Sequence, residues 1–445
     1  MNYILYDRLR TYFGNKNLYA GTNKIVMAYY NDDIVRGVEE DVYAGEYFYI
    51  ESLEDNNTIR LIKDTTTLGV QTQPEKTVYV SRDLNTWTGY IYSAGTETIT
   101  NSWSLNAGDK LYFKCSTNKL IGFYFYSTKG YNVNGNIMSL LKGDDFAGVT
   151  ELTSGFYGND DAFYKLFYNS SKLYNANKLV LHATTLANRC YSGMFIGCTS
   201  LTTAPKLPAT TLAEYCYSGM FRECTSLTTA PALPATTLAN GCYQNMFMNC
   251  TGLTTIPTNL LPATTLANNC YDSMFASCTS LVNAPALPAT TLATGCYYQM
   301  FASCKSLVNA PALPATTLAN SCYIAMFSGC TSLTKAPEVL PATTLAIRCY
   351  CDMFKYCESL TTAPELPATT LVEECYMSMF YYCTNINYIK CLATDISATN
   401  CIKYWVSNLP NDGVFVKNIN ITWPKATSSN NYTGIPSGWT VQDFN

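Results

Sequence analysis

One sentence of sequence is written eight times between Cys190 and Cys383, and no other feature restricts the fold as strongly. It reads Cys-Tyr-x-x-Met-Phe-x-x-Cys, a small polar pair and Leu, then Ala-Pro, then Leu-Pro-Ala-Thr-Thr-Leu, with the last copy departing after its second Cys. The copies start at Cys190, Cys216, Cys242, Cys270, Cys296, Cys322, Cys349 and Cys375, so successive starts lie 26, 26, 28, 26, 26, 27 and 26 residues apart. A period in this range signals stacked repeats. A unit this short cannot bury its own apolar side, so each must lie on a neighbour, and stability becomes a sum of repeat and interface terms.

Within one unit the apolar positions locate the core. Cys242, Met246, Phe247, Cys250 and Leu253 fall at i, i+4, i+5, i+8 and i+11, which reads as one stripe of a short helix or helical turn. The extended piece Leu201-Thr-Thr-Ala-Pro205 reads as one strand per unit of a parallel sheet. The unit resembles the BspA-type leucine-rich repeat, whose consensus carries Ile-Gly-x-x-Ala-Phe-x-x-Cys-x-x-Leu and then a short strand ending in Ile-Pro. Here Cys stands for Ile, Tyr for Gly and Met for Ala, while Phe, the second Cys and Leu are in register. The resemblance covers about half of the chain and implies a leucine-rich-repeat solenoid.

The 445 residues allow about three domains. Residues 1–45 read as a helix and hairpin for attachment: Ile4, Leu5, Leu9, Tyr12 and Phe13 share a helical face, and Ile25–Tyr30 and Ile34–Arg36 read as strands about a turn. Residues 46–130 hold short strands such as Thr77–Val80 and Leu111–Cys115 between turn formers, the pattern of an antiparallel β-sandwich. With Ser81-Arg-Asp-Leu-Asn-Thr-Trp-Thr88 and Ala107-Gly-Asp-Lys110, this stretch resembles a module that precedes such repeats in proteins of Bacteroidales bacteria and their phages. Residues 131–189 read as a linker and capping repeat, in which Ala162, Phe167, Ser170 and Leu173 align with Cys190, Phe195, Cys198 and Leu201. The repeat solenoid spans 190–409 with a degenerate last unit at Cys401, Trp405, Val406 and Leu409, and 410–445 reads as a C-terminal β cap. The expected fold is thus mixed β/α: an N-terminal antiparallel β-sandwich followed by a leucine-rich-repeat solenoid with one parallel strand per repeat.

The residues offer little for catalysis. Sixteen of the twenty cysteines are the two repeat positions, His182 is the single histidine, and no Cys-x-x-Cys occurs, so neither a zinc site nor a Cys–His or Ser–His pair is built. Buried reduced thiols serving as small apolar residues are the favoured reading of the cysteines, with pairing between adjacent repeats as the alternative. Glu373-Glu374 and Asp160-Asp161 read as solvated surface, and no Gly-rich phosphate loop is present. We therefore expect no enzyme activity, catalytic residue, metal or cofactor. Charged residues make up 13% and the formal net charge is −4, which argues against nucleic acid, and no apolar run reaches the roughly 18 residues of a membrane span.

What remains is recognition by a surface. The x positions vary between copies and form rows, with Tyr298, Tyr356, Tyr381 and Tyr382 on the Cys-to-Cys segment and Lys206, Lys335, Glu338 and Glu365 beside the extended piece. Stacked repeats use such rows as binding faces, and tyrosine brings contact area at small entropic cost. Two functions stay open. The resemblance and a start at Met1 without a secretory leader point to a phage virion component, of tail or head-fibre type, that folds in the host cytoplasm. It would join other virion proteins through its N-terminal region and bind a bacterial surface glycan or protein through its repeats, with several copies gaining avidity as a homo-oligomer. The alternative is a bacterial cell-surface adhesin binding host matrix or other cells.

Overall fold

The computed structural model describes residues 43–63, 75–92, 99–115, 122–153, 160–257 and 259–445, together with three N-terminal strands as backbone. Those strands, β1 (Tyr19–Ala20), β2 (Asn23–Tyr30) and β3 (Asp33–Asp41), form an antiparallel sheet in the order β1-β2-β3. The helical face at Ile4, Leu5, Leu9, Tyr12 and Phe13 lies outside the described residues.

Two further sheets follow. Strands β4 (Tyr49–Ser52), β5 (Asn57–Lys63), β6 (Lys76–Ser81), β7 (Thr88–Tyr92), β8 (Ile99–Leu105), β9 (Lys110–Cys115), β10 (Phe123–Ser127), β11 (Tyr131–Asn136) and β12 (Leu173–Val180) divide between them. One sheet runs β10-β5-β8; the other runs β12-β11-β4-β9-β6-β7 and takes β11 and β12 from the stretch leading into the repeats. Alternation decides which side chains go inward: Asn57, Ile59, Leu61 and Lys63 of β5 are buried and Arg60 between them is exposed. The inner faces meet through Trp103 on Phe113 (5.6 Å between ring centres), Phe113 on Phe125 (5.0 Å) and Tyr92 on Phe123 (5.0 Å), all edge-to-face. Ring pairs in this arrangement add to the burial of their area.

The expected mixed β/α class is wrong. Only 2% of the described residues are helical against 24% in strands, and the described α-helix is a single turn, α1 (Ser139–Lys142). The Cys-to-Cys segments are chains of tight turns. In the first copy Ser192, Met194, Ile196 and Cys198 donate their N–H groups three residues back, to Arg189, Tyr191, Gly193 and Phe195, while Tyr191, Gly193, Phe195 and Gly197 donate to Cys216, Ser218, Met220 and Arg222 of the next copy. Half of the backbone donors thus close turns and half join copies, at 2.8–3.2 Å. Every fourth residue has a left-handed backbone, for example Arg189 (φ 51°), Gly193 (φ 63°) and Gly197 (φ 71°), then Asn245 (φ 56°) and Asn249 (φ 61°), then Ser273 (φ 53°) and Ser277 (φ 61°). A right-handed helix cannot run through such positions.

The expected strand of each repeat is also missing. From Thr185 to Cys383 the extended pieces touch through single parallel bridges, Thr185 to Thr211 to Thr237 and Thr265 to Thr291 to Thr317 to Thr344, so no continuous sheet winds into a closed solenoid. Proline explains part of this. Pro205 and Pro208 interrupt each extended piece and remove donors that a ladder would need.

The core of the array is a translation of one layer. Cys, Tyr, Met, Phe, Cys and Leu of the copies are buried throughout. The phenyl rings stack from Phe195 to Phe221, Phe247, Phe275, Phe301, Phe327, Phe354 and Phe380 at 5.5–6.0 Å with interplanar angles of at most 10°. The second cysteine of each copy donates its S–H to the Phe carbonyl of the copy before, as Cys304 does to Phe275 at 3.1 Å and Cys330 to Phe301 at 3.1 Å. At the N-terminal junction Ser170 stands in that cysteine's place and donates to Phe125 of β10 at 2.6 Å, while Phe167 stacks on Phe125 (5.8 Å) and under Phe195 (5.2 Å). The ladder therefore starts inside the two-sheet core.

The other end is closed by indoles. Trp405 packs against Phe380, Trp423 stacks on Trp405 at 5.5 Å, and the Trp405 N–H donates to the Gly434 carbonyl at 2.8 Å. Beside it lies a parallel sheet of β13 (Tyr388–Cys391), β14 (Val414–Asn418) and β15 (Thr440–Phe444).

Candidate recognition surface

The turns fix where the variable residues go. Apolar side chains of Met and Phe enter the core, so the residues between Tyr and Met, and between Phe and Cys, are left on an outer face in register from copy to copy. Along the middle of this face the side chains are small: Ala276, Ala302 and Ser328 in one column, Ser277, Ser303 and Gly329 in the next. In the same two columns the last copies carry Lys355 and Tyr381, then Tyr356 and Tyr382.

These four side chains form a cluster. Tyr381 and Tyr382 have ring centres 4.7 Å apart, Tyr356 lies 5.7 Å from Tyr381 and 5.4 Å from Tyr382, and the Lys355 ammonium sits 5.3 Å and 5.7 Å from the Tyr381 and Tyr356 rings. Asp352 pairs with Lys355 at 3.1 Å. Tyr356 and Tyr382 are each 39% exposed. Both also sit at the left-handed position, at φ 59° and φ 60°, in a column filled elsewhere by Gly197, Glu223, Asn249, Ser277, Ser303 and Gly329. A bulky residue there carries backbone strain. Cation–ring contacts hold the lysine in place without taking the ring surfaces out of reach.

The candidate residues read from the sequence divide into two groups. Tyr356, Tyr381 and Tyr382 come together. Tyr298 is on the same face, half-buried, and burial together with the carboxylates of Asp272 and Asp352 pushes its phenol up from the ordinary value. Lys206, Lys335, Glu338 and Glu365 lie on the extended pieces instead. There Glu365 is bound by its N–H to the Glu338 carbonyl at 2.9 Å and pairs with Lys390 at 2.9 Å, and the Lys335 backbone bridges Asn309. Glu365 and Lys335 thus find their partners on the extended pieces, while the tyrosine cluster is closed by Lys355.

Sequence reasoning missed two extensions of the face. Lys403 lies 5.3 Å over the Tyr404 ring in the degenerate unit after the last copy, and at the opposite end Lys165 lies 5.1 Å and 5.0 Å from the rings of Tyr164 and Tyr168. Carrying the register of the degenerate units, aligned at Ala162 and Cys401, through to their x positions would have found both, since Tyr168 stands in the column of Tyr381 and Tyr404 in that of Asp352.

The sixteen repeat thiols form no disulfide, and burial pushes them up, to about 12 for Cys250, Cys296, Cys304 and Cys349. Neutral thiols of this kind neither ligate metal nor attack carbonyls. Among the described residues no group of three His, Cys, Asp or Glu side chains is placed to hold a metal ion, and no helix is long and apolar enough to cross a membrane. No protein-family model, curated protein or solved structure matches this chain.

Proposed function

We propose that the chain is a non-enzymatic recognition protein that meets its ligand with the tyrosine–lysine cluster at Lys355, Tyr356, Tyr381 and Tyr382. One observation carries this reading: Tyr356, Tyr381, Tyr382 and Lys355 gather three rings and an ammonium in two columns where the preceding copies carry Ala276, Ala302 and Ser328, then Ser277, Ser303 and Gly329. Partly exposed aromatic side chains gathered about a cation are the kind of group that dominates contact sites. The repeat unit's resemblance to the BspA type sets the biological frame. In that frame the protein is a phage virion component, the ligand is a glycan or protein of the bacterial surface, and the N-terminal region joins the particle.

The test is binding of the fluorescently labelled chain to Bacteroidales cells. The triple variant Tyr356→Ala, Tyr381→Ala, Tyr382→Ala should bind at least about tenfold more weakly, the scale of losing a contact hot spot. Unchanged binding by a variant that unfolds at the parent temperature overturns the assignment.

A further inference from the structure

The turn joining β6 to β7 leans over the second sheet at Trp103 and borders a cleft of about 280 Å³. Arg82 holds the turn down by donating from Nη2 to the Ser104 carbonyl at 2.8 Å. Asp83 Oδ1 accepts from the N–H groups of Asn85 (2.9 Å) and Thr86 (2.8 Å) and from the Ser81 hydroxyl (3.1 Å), so the turn is rigid and Oδ2 is left for a ligand. Inside the cleft the Trp103 indole N–H donates to Tyr90 Oη at 3.1 Å, with the two rings at 90°. That bond uses Tyr90 as an acceptor and leaves its own proton to donate. The side chains of Thr86 and Thr88 complete the wall.

These groups sort ligands by chemistry. The volume is near the roughly 300 Å³ lower end of small-molecule clefts and so admits one ring-sized group. Backbone N–H donors hold Asp83 below its usual carboxylate range and keep it ionised, which disfavours an anion, while Arg82 beside it disfavours a cation. An uncharged ring with one apolar face and several hydroxyls satisfies the rest: the C–H face packs on the aromatic wall, and the hydroxyls pair with Asp83 Oδ2 and with the guanidinium N–H groups that Ser104 does not use.

We propose that the cleft between the β6–β7 turn and Trp103 binds one uncharged hexopyranose unit of a glycan. The site is separate from the tyrosine–lysine cluster and does not depend on that reading. It makes the two-sheet region a second contact point, with Tyr90, held by the buried Trp103, receiving the ring and Arg82, Asp83 and Thr88 reading its hydroxyls.

Saturation-transfer NMR on the full chain with the methyl glycosides of glucose, galactose, mannose and N-acetylglucosamine tests this. At least one should show transfer, with half-saturation on the order of 1 mM, the range small polar ligands reach. Arg82→Ala and Thr88→Val should each weaken it about fivefold, the scale of one hydrogen bond, and Tyr356→Ala with Tyr381→Ala and Tyr382→Ala should leave it unchanged. Arg82 also anchors the turn, so Thr88→Val, which removes a hydroxyl and keeps the shape, is the discriminating variant. No transfer from any of the four glycosides, or transfer that Thr88→Val leaves unaltered, overturns the proposal.

Discussion

The two-sheet region and the repeat array bury the same kinds of side chain and satisfy their backbones in opposite ways. In the sheets, strands such as β5 and β8 pair over seven residues, from Asn57 opposite Leu105 to Lys63 opposite Ile99, and the rings inside meet at steep angles. In the array the rings are nearly parallel, because each layer is the previous one translated, and the backbone alternates between turn closure and bonds to the next copy. The comparison shows that a repeat can set the geometry of a core without using long strands or helices. A sheet core is one shared cluster, whereas a layer of the array leans chiefly on the layers above and below it.

The largest expected difference between the regions is in alkali. A thiol raised to about 12 in the folded chain, as for Cys304, against about 8.5 when unfolded, favours the fold fully below pH 8.5 and loses that contribution as pH rises towards 12. At pH 10 each such thiol costs about 2 kcal/mol, and several together exceed the stability of roughly 5–15 kcal/mol that a domain has. Circular dichroism and hydrogen exchange between pH 8 and 10 should show the array opening while amides of β5 and β9 stay protected. Loss of both regions together would remove the distinction.

A cavity in one layer comes next. Phe275→Ala should cost about 3–5 kcal/mol in denaturant unfolding. It should raise exchange in the copies starting at Cys242 and Cys296 more than in β5. Phe113→Ala, by contrast, should loosen both sheets at once.

The expectation of helices failed for an identifiable reason. Cys242, Met246, Phe247, Cys250 and Leu253 fit a stripe of period 3.6 and fit successive four-residue turns equally well. The deciding signal was elsewhere, in Gly193, Gly219 and Asn245 in one column and Gly197, Asn249 and Gly329 in another, residues suited to a left-handed backbone. The buried layer itself was legible, because its residues recur unchanged, and so were strands such as β6 and β9, where apolar residues alternate. The tyrosine cluster was legible once Tyr356 and Tyr382 were placed in one column. The division between the Cys-to-Cys segment and the extended pieces was legible too, whereas the turn geometry that sets the outer face was not, since a helix would have pointed the x residues differently. The trailing segment Ile421–Trp423 reads as a strand, yet Trp423 serves as a lid on Trp405.

Two smaller effects sharpen the contrast. Cys304→Ala removes an S–H donor from the Phe275 carbonyl and some volume, and should cost about 1–2 kcal/mol, with Cys304→Ser keeping the donor. Gln299→Gly, at φ 49°, should raise stability by about 0.5 kcal/mol, while Gly at Ile62 of β5 should lower it. Thermal unfolding of the pair checks the opposite signs.

Tyrosine labelling in the presence and absence of bound Bacteroidales cells tests the assignment of recognition to the turn face most directly. Tyr356 and Tyr382 are each 39% exposed, and Tyr126 of β10 is 39% exposed as well, so the three start with matched access. Iodination followed by mass spectrometry should show Tyr356 and Tyr382 protected on bound chains and Tyr126 labelled as before. Protection of Tyr126 with Tyr356 and Tyr382 still fully labelled would contradict the account.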